Sequence, residues 1–392
     1  MMIHKKHWKL LTIATGVLSL LFLSHFKVQA ADPRKPKPRP GIQMLLLSDS
    51  APQPAPVPQP NIVFVTSSTV VGGSLGSLKG ADNICQSRAE AARLPLNKYT
   101  AWLSTSSVKA IDRLGSARGW VRVDGKPFAN EIKEIVEGII LHPLVVDEMG
   151  NNIGFPGGGR VWTGTNADGT VRSDGTCQDW TSTATIGLTG NFTSVSDVFT
   201  SSEISSCNNA SHLYCFGIES NVPVTVNRVD GRIAFVTNGS WTPSGGLAEA
   251  DKLCRKEATE ASLSGTFQAL LAAVGQSAAK RFTASGLPWV RPDGVAIAPT
   301  AEALFSTKPL MTAINVTVDG QYLRNVGVWG GALTPAVEGT VETTCDNWTS
   351  PDKYSTGLSG WAAFTYPQDY FGKESSTCDV PKRLYCLQVN EF

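Results

Sequence analysis

Cys177-Gln178-Asp179-Trp180-Thr181-Ser182 is answered further along the chain by Cys345-Asp346-Asn347-Trp348-Thr349-Ser350, and everything around these two stretches repeats with them. The cysteines fall into two sets, Cys85, Cys177, Cys207 and Cys215, then Cys254, Cys345, Cys378 and Cys386. Each set has a long gap, a shorter one, and a final pair at the same interval. Outward from the motif, Val161-Trp162 matches Val328-Trp329, and Leu213-Tyr214-Cys215 matches Leu384-Tyr385-Cys386. Trp120-Val121-Arg122 before Asp124-Gly125 matches Trp289-Val290-Arg291 before Asp293-Gly294. Ala81-Asp82 precedes Cys85 as Ala250-Asp251 precedes Cys254, and each copy opens on an apolar run, 62–66 and 233–237. A repeat this long is a whole domain, not one turn of a solenoid.

The N-terminus sets the redox compartment. Lys5, Lys6 and Lys9 form a positive head, Leu10 to Leu23 an apolar run, and Val28-Gln29-Ala30 a small-residue cleavage site. That is the pattern of a cleaved secretory signal peptide, and the run is shorter than the ~20 residues that span a bilayer. Export puts the mature chain in a secreted, cell-surface or periplasmic setting, where an even cysteine count reads as a disulfide framework. Four cysteines allow three pairings per copy, and spacing does not choose among them.

The chain therefore divides into a signal peptide (1–30), a proline-rich spacer of polyproline II character (31–60), a first domain (61–220), a linker (221–230) and a second domain (231–392). Charge narrows the partners. Of 34 basic and 33 acidic residues, 26 and 31 fall in 61–392, a net of about −5. Nucleic acid and heparin need clustered Lys and Arg, so neither is expected as a ligand.

Within the first copy the pattern gives a strand at 62–66, a Gly-rich turn at Gly72, Gly73 and Gly76, and a helix from Gly80 to Arg93 with Ala81, Ile84, Cys85 and Ala92 on one face. Short segments at 99–104 and 130–138 follow, then a Gly-, Ser- and Thr-rich half with strands at 159–164 and 212–218. Helices early, with small strands and long loops late, make an α+β fold.

Gly265-Thr266-Phe267-Gln268-Ala269-Leu270-Leu271, Val328-Trp329-Gly330-Gly331, Cys345-x-x-Trp348 and the closing Cys378 and Cys386 together resemble the endostatin domain that ends some collagens. Ala101-Trp102-Leu103-Ser104 and Trp162-Thr163-Gly164 give the first copy the same outline. The tandem form is similar to bacterial endostatin-like proteins of the leptospiral type. The resemblance implies a C-type-lectin-like fold in which first and last strands pair. It also implies nested disulfides, Cys85 to Cys215 around Cys177 to Cys207, and Cys254 to Cys386 around Cys345 to Cys378. It further implies an adhesin-like role, binding extracellular-matrix or plasma proteins of a host. Two linked copies would add avidity for a large partner.

The chain departs from that family where metals and sugars are concerned. Only His142 and His212 follow the signal region, so a histidine-rich zinc site is not carried over. The calcium-lectin signatures are missing, with Pro367-Gln368-Asp369 and Asp346-Asn347 left as fragments. No cofactor or metal is expected. Two histidines offer few bases for nucleophilic chemistry, and Gly154 to Arg160 lacks the lysine ending of a phosphate loop, so it reads as a turn. Asp124-Gly125 and Asp293-Gly294 read as hairpin turns, and Asp179 and Asp346 as caps of local backbone. The recurring Trp162, Trp180, Trp329 and Trp348 read as core, each indole N–H meeting a carbonyl. Trp241 and Trp361, without tryptophan counterparts in the first copy, are the candidates for an exposed ligand-binding surface. The expected function is that of a non-enzymatic, exported binding protein. The competing readings are a carbohydrate-binding module and an envelope structural protein.

Overall fold

The computed structural model describes residues 58–95, 97–154 and 159–389. The signal peptide, almost all of the spacer, and most of the glycine-rich turn before Arg160 lie outside them. The described residues pack as one unit holding both copies, and the architecture is α+β.

In the first copy the alternating run Asn61–Val65 forms the centre of a sheet. It pairs antiparallel with the copy's last strand, Tyr214–Gly217, and parallel with Trp120–Arg122. Tyr99–Ala101 and Pro127–Ala129 complete the sheet at its two edges. Val63 and Val65 pack with Trp102, Trp120 and Phe216 on one face, and Phe64 packs with Ala81, Cys85 and Tyr99 on the other. Period-two alternation thus buries both faces of one strand. The second copy repeats the plan with Arg232–Val236 between Tyr385–Gln388 and Trp289–Val290.

A long helix covers one face in each copy, Ser77–Ala91 and Gly246–Glu260. The first starts earlier than the sequence pattern suggests and buries Ala81, Cys85 and Ala89, while Ile84 and Ala92 sit only half-buried beside that stripe. Small residues four apart let the helix lie close to the sheet. The repeated aspartates explain themselves here. Asp82 accepts from the Ala101 amide (2.9 Å) and the Arg113 guanidinium (2.6 Å). Asp251 does the same with the Ala269 amide (2.9 Å) and Arg281 (2.7 Å), tying helix to edge strand.

The disulfides join Cys85 to Cys215, Cys177 to Cys207, Cys254 to Cys386 and Cys345 to Cys378. The outer bridge fastens helix to last strand, and the inner one holds the loop-rich half. The repeated Cys-x-x-Trp motif is a single left-handed turn: φ is 51°, 49°, 55° and 67° at Cys177, Gln178, Asp179 and Trp180, and 49°, 52°, 56° and 67° at Cys345 to Trp348. Four consecutive side-chain-bearing residues in that region are costly, at ~1–2 kcal/mol each. The disulfide, the buried tryptophan and a threonine cap from Thr176 or Thr344 hold them there. Gln178 is exposed, so Gln178→Gly is expected to raise stability by up to about 1 kcal/mol. A lower thermal midpoint for that variant would show that the side chain itself holds the turn.

The two copies are docked, not tethered. The linker is laid down on both: the Val224 amide donates to Asn130 Oδ1 (3.0 Å) and the Val229 amide to the Gly294 carbonyl (3.1 Å). Ser194 and Phe364 form an antiparallel bridge across the joint, beside a Val195 amide to Ala363 carbonyl bond of 3.0 Å. Each lies three residues past the end of its strand, Ile186–Asn191 or Thr356–Trp361. The copies therefore meet through the same segment, about a local two-fold. Nearby, Thr312 Oγ1 donates to the Leu141 carbonyl (2.7 Å), and Ala313 of the second copy joins the core of the first.

Candidate functional site

The inner sheet of the first copy sets up one wall of a cleft. Arg160–Trp162 and Glu203–Ser206 flank Ile186–Asn191, and the register brings Arg160 opposite Asn191 and Glu203 opposite Thr189. Arg160, Asn191 and Glu203 thus share one end of the sheet, with Arg160 and Glu203 in an ion pair. Ala210–Ser211 and His212 run beside Arg160, the His212 amide donating to the Arg160 carbonyl (3.0 Å). Asn191 Oδ1 accepts from the amide (3.0 Å) and hydroxyl (2.7 Å) of Thr193, which leaves its NH2 group to the cleft.

The opposite wall comes from the second copy. Pro367–Phe371 is a short helix with proline at its start, the position where proline costs nothing. Asp369 on it pairs with Lys373 (2.5 Å). Tyr366, Gln368, Thr307 and Thr334 complete the wall. The bridge between Ser194 and Phe364 lies in chain between Asn191 and Tyr366, so the joint of the two copies also sets the separation of the walls. The open space between the walls is about 910 Å³.

His212 keeps its ring fixed by an Nδ1 to Thr66 carbonyl bond (2.6 Å), with Phe192 edge-on at 5.6 Å. Since a carbonyl can only accept, Nδ1 carries the hydrogen and Nε2 the lone pair. Burial lowers its pKa below the ordinary histidine value, partly offset by that bond and by Glu148, so the ring is neutral near pH 7. Ser211 is 2% exposed, and its Oγ has no hydrogen-bond partner among the described residues.

His142 lies elsewhere, beside a smaller hollow of about 350 Å³ under the linker. Its Nδ1 also serves a backbone carbonyl, that of Pro127 (2.9 Å). Among the described residues no group of three or more His, Cys, Asp or Glu side chains is placed to hold a metal ion.

The recurring tryptophans are core. Trp180 donates to the Ser104 carbonyl (2.7 Å), Trp348 to that of Ala272 (2.7 Å), Trp162 to that of Val70 (3.0 Å) and Trp329 to that of Trp241 (3.3 Å). That last bond corrects the reading of Trp241 as an exposed platform. Trp241 takes the place Val70 holds in the first copy, its ring 5.9 Å from Trp348, and it is buried. Trp361 is half-buried and is not among the residues lining the cleft, and the Lys382 ammonium is 6.0 Å from its ring. Asp179 and Asp346 do not cap local backbone in the way expected. Asp179 accepts from the distant Ser106 amide (2.7 Å), a role taken in the second copy by Asn347 on the Val274 amide (3.1 Å), while Asp346 accepts from Ser355 (2.8 Å).

Sequence reasoning missed the cleft. Pro367-Gln368-Asp369, set aside as a fragment of a lectin signature, supplies part of one wall. Neither a scan against protein-family models nor a search of the curated proteins finds a match for the chain. No helix among the described residues is long and apolar enough to cross a membrane.

Proposed function

We propose that this is an exported, adhesin-like binding protein with two C-type-lectin-like domains, recognising extracellular protein partners such as matrix or plasma proteins. The observation that carries the reading is the cleft to which both copies contribute, lined by hydroxyl, amide and paired charged groups. The pairing of first and last strands in each copy and the nested disulfides support the C-type-lectin-like assignment. Four disulfides suit an oxidising compartment outside the cytoplasm.

The test is binding of the oxidised mature chain to an array of matrix proteins, plasma proteins and glycans, with and without calcium. Saturable, calcium-independent binding to protein spots is the expected result. Binding confined to glycans and abolished by chelation would replace this reading with that of a calcium lectin.

A further inference from the structure

We propose that the inter-copy cleft is a groove for a short extended polypeptide segment bearing an acidic and a basic side chain close together. The inference rests on the binding-protein reading above and names the site and the ligand class within it.

Charge selects the ligand first. One wall carries the Arg160 and Glu203 pair and the other the Lys373 and Asp369 pair, so each wall offers both signs and the four sum to zero. A polyanion or a polycation would meet as much repulsion as attraction there. A ligand with one charge of each sign can exchange partners with an existing pair and leave no charge uncompensated. Arg160, Glu203 and Lys373 are about half exposed, and Asp369 about a quarter, so their water is shed only when something fills the cleft.

Uncharged groups favour a peptide backbone. Asn191 and His212 both line the cleft, the one supplying an amide donor and the other the Nε2 acceptor. Such a set matches the N–H and C=O groups that an extended chain presents at regular intervals.

The experiment pans a random dodecapeptide phage library on the oxidised mature chain and measures the enriched peptides by titration. A glycan array is run in parallel on the same proteins. Enriched peptides should carry neighbouring acidic and basic residues and weaken as salt rises from about 50 to about 500 mM. They should lose roughly tenfold in affinity on the double variant Arg160→Ala/Lys373→Ala. They should be indifferent to Arg172→Ala/Lys353→Ala, charges outside the cleft. Peptides that bind both variants equally would overturn the cleft as the site while leaving the binding-protein function in place. Glycans that bind in place of peptides, and are lost on the cleft variant, would overturn the polypeptide class and the protein-binding function together. Silence of both libraries would overturn both as well.

Discussion

Replacing Cys254 and Cys386 by alanine is expected to cost the second copy about 5 kcal/mol. The bridge spans 132 residues, and in the chain-entropy model its loss frees almost the entire copy in the unfolded state. The inner bridge spans 33 residues and should cost about 1 kcal/mol less by the same reckoning. Both outer sulfurs are buried between helix and sheet, so alanine also leaves a small cavity there. Urea unfolding of the two double variants, Cys254→Ala/Cys386→Ala and Cys345→Ala/Cys378→Ala, checks the order. An outer variant within about 1 kcal/mol of the unaltered protein would show that helix and sheet are held without the crosslink.

Acid is expected to weaken the protein through His142. Burial pushes the ring's pKa down to about 3, partly offset by its bond to the Pro127 carbonyl and reinforced by Arg122, Arg291 and Lys126 around it. Unfolded, the ring takes a proton at its ordinary value near 6.5; folded, it stays neutral. Its folded pKa is therefore depressed, and the associated stability is complete above pH 6.5 and is lost as pH falls towards 3. About two pKa units of that window lie above pH 4.5, which corresponds to roughly 2–3 kcal/mol. The variant His142→Asn keeps a donor for the carbonyl and has nothing to titrate. Its stability should fall less from pH 6.5 to 4.5 than that of the unaltered protein, the remaining decline belonging to His212, and parallel curves would sink the assignment. Because Arg291 belongs to the second copy and Leu141, next in chain, accepts the Thr312 hydroxyl, the strain of acidification falls on the joint between copies.

The duplication, the framework of strands and the identity of the core tryptophans could be read from residue order, because each depends on patterns local in the chain or repeated along it. The choice among disulfide pairings could not be made from spacing, which is compatible with all three. Trp241 shows why exposure misled. Its lack of a tryptophan counterpart suggested a surface role, but its backbone carbonyl receives the Trp329 indole, and that bond places its ring against Trp348. The cleft was hidden for a different reason. Its walls are set by main-chain bonds between Ser194 to Val195 and Ala363 to Phe364, which any side chains of suitable size would permit. Docking of that kind leaves no residue signature, so Pro367, Gln368 and Asp369 looked like loop until their neighbour across the joint was known.

The meeting of the copies through the same segment has an evolutionary meaning. Two identical chains joined in this way must present each surface twice, and any improvement on one is forced on the other. Joining them in one polypeptide removes that obligation. Where the first copy has Arg160 opening its strand, the second has Gly327; where the first has Ser211 and His212, the second has Lys382 and Arg383 beside Trp329. One copy has been free to build its receptor wall at this place, while the other packs its lysine beside tryptophan here and builds its wall elsewhere, on Pro367–Phe371.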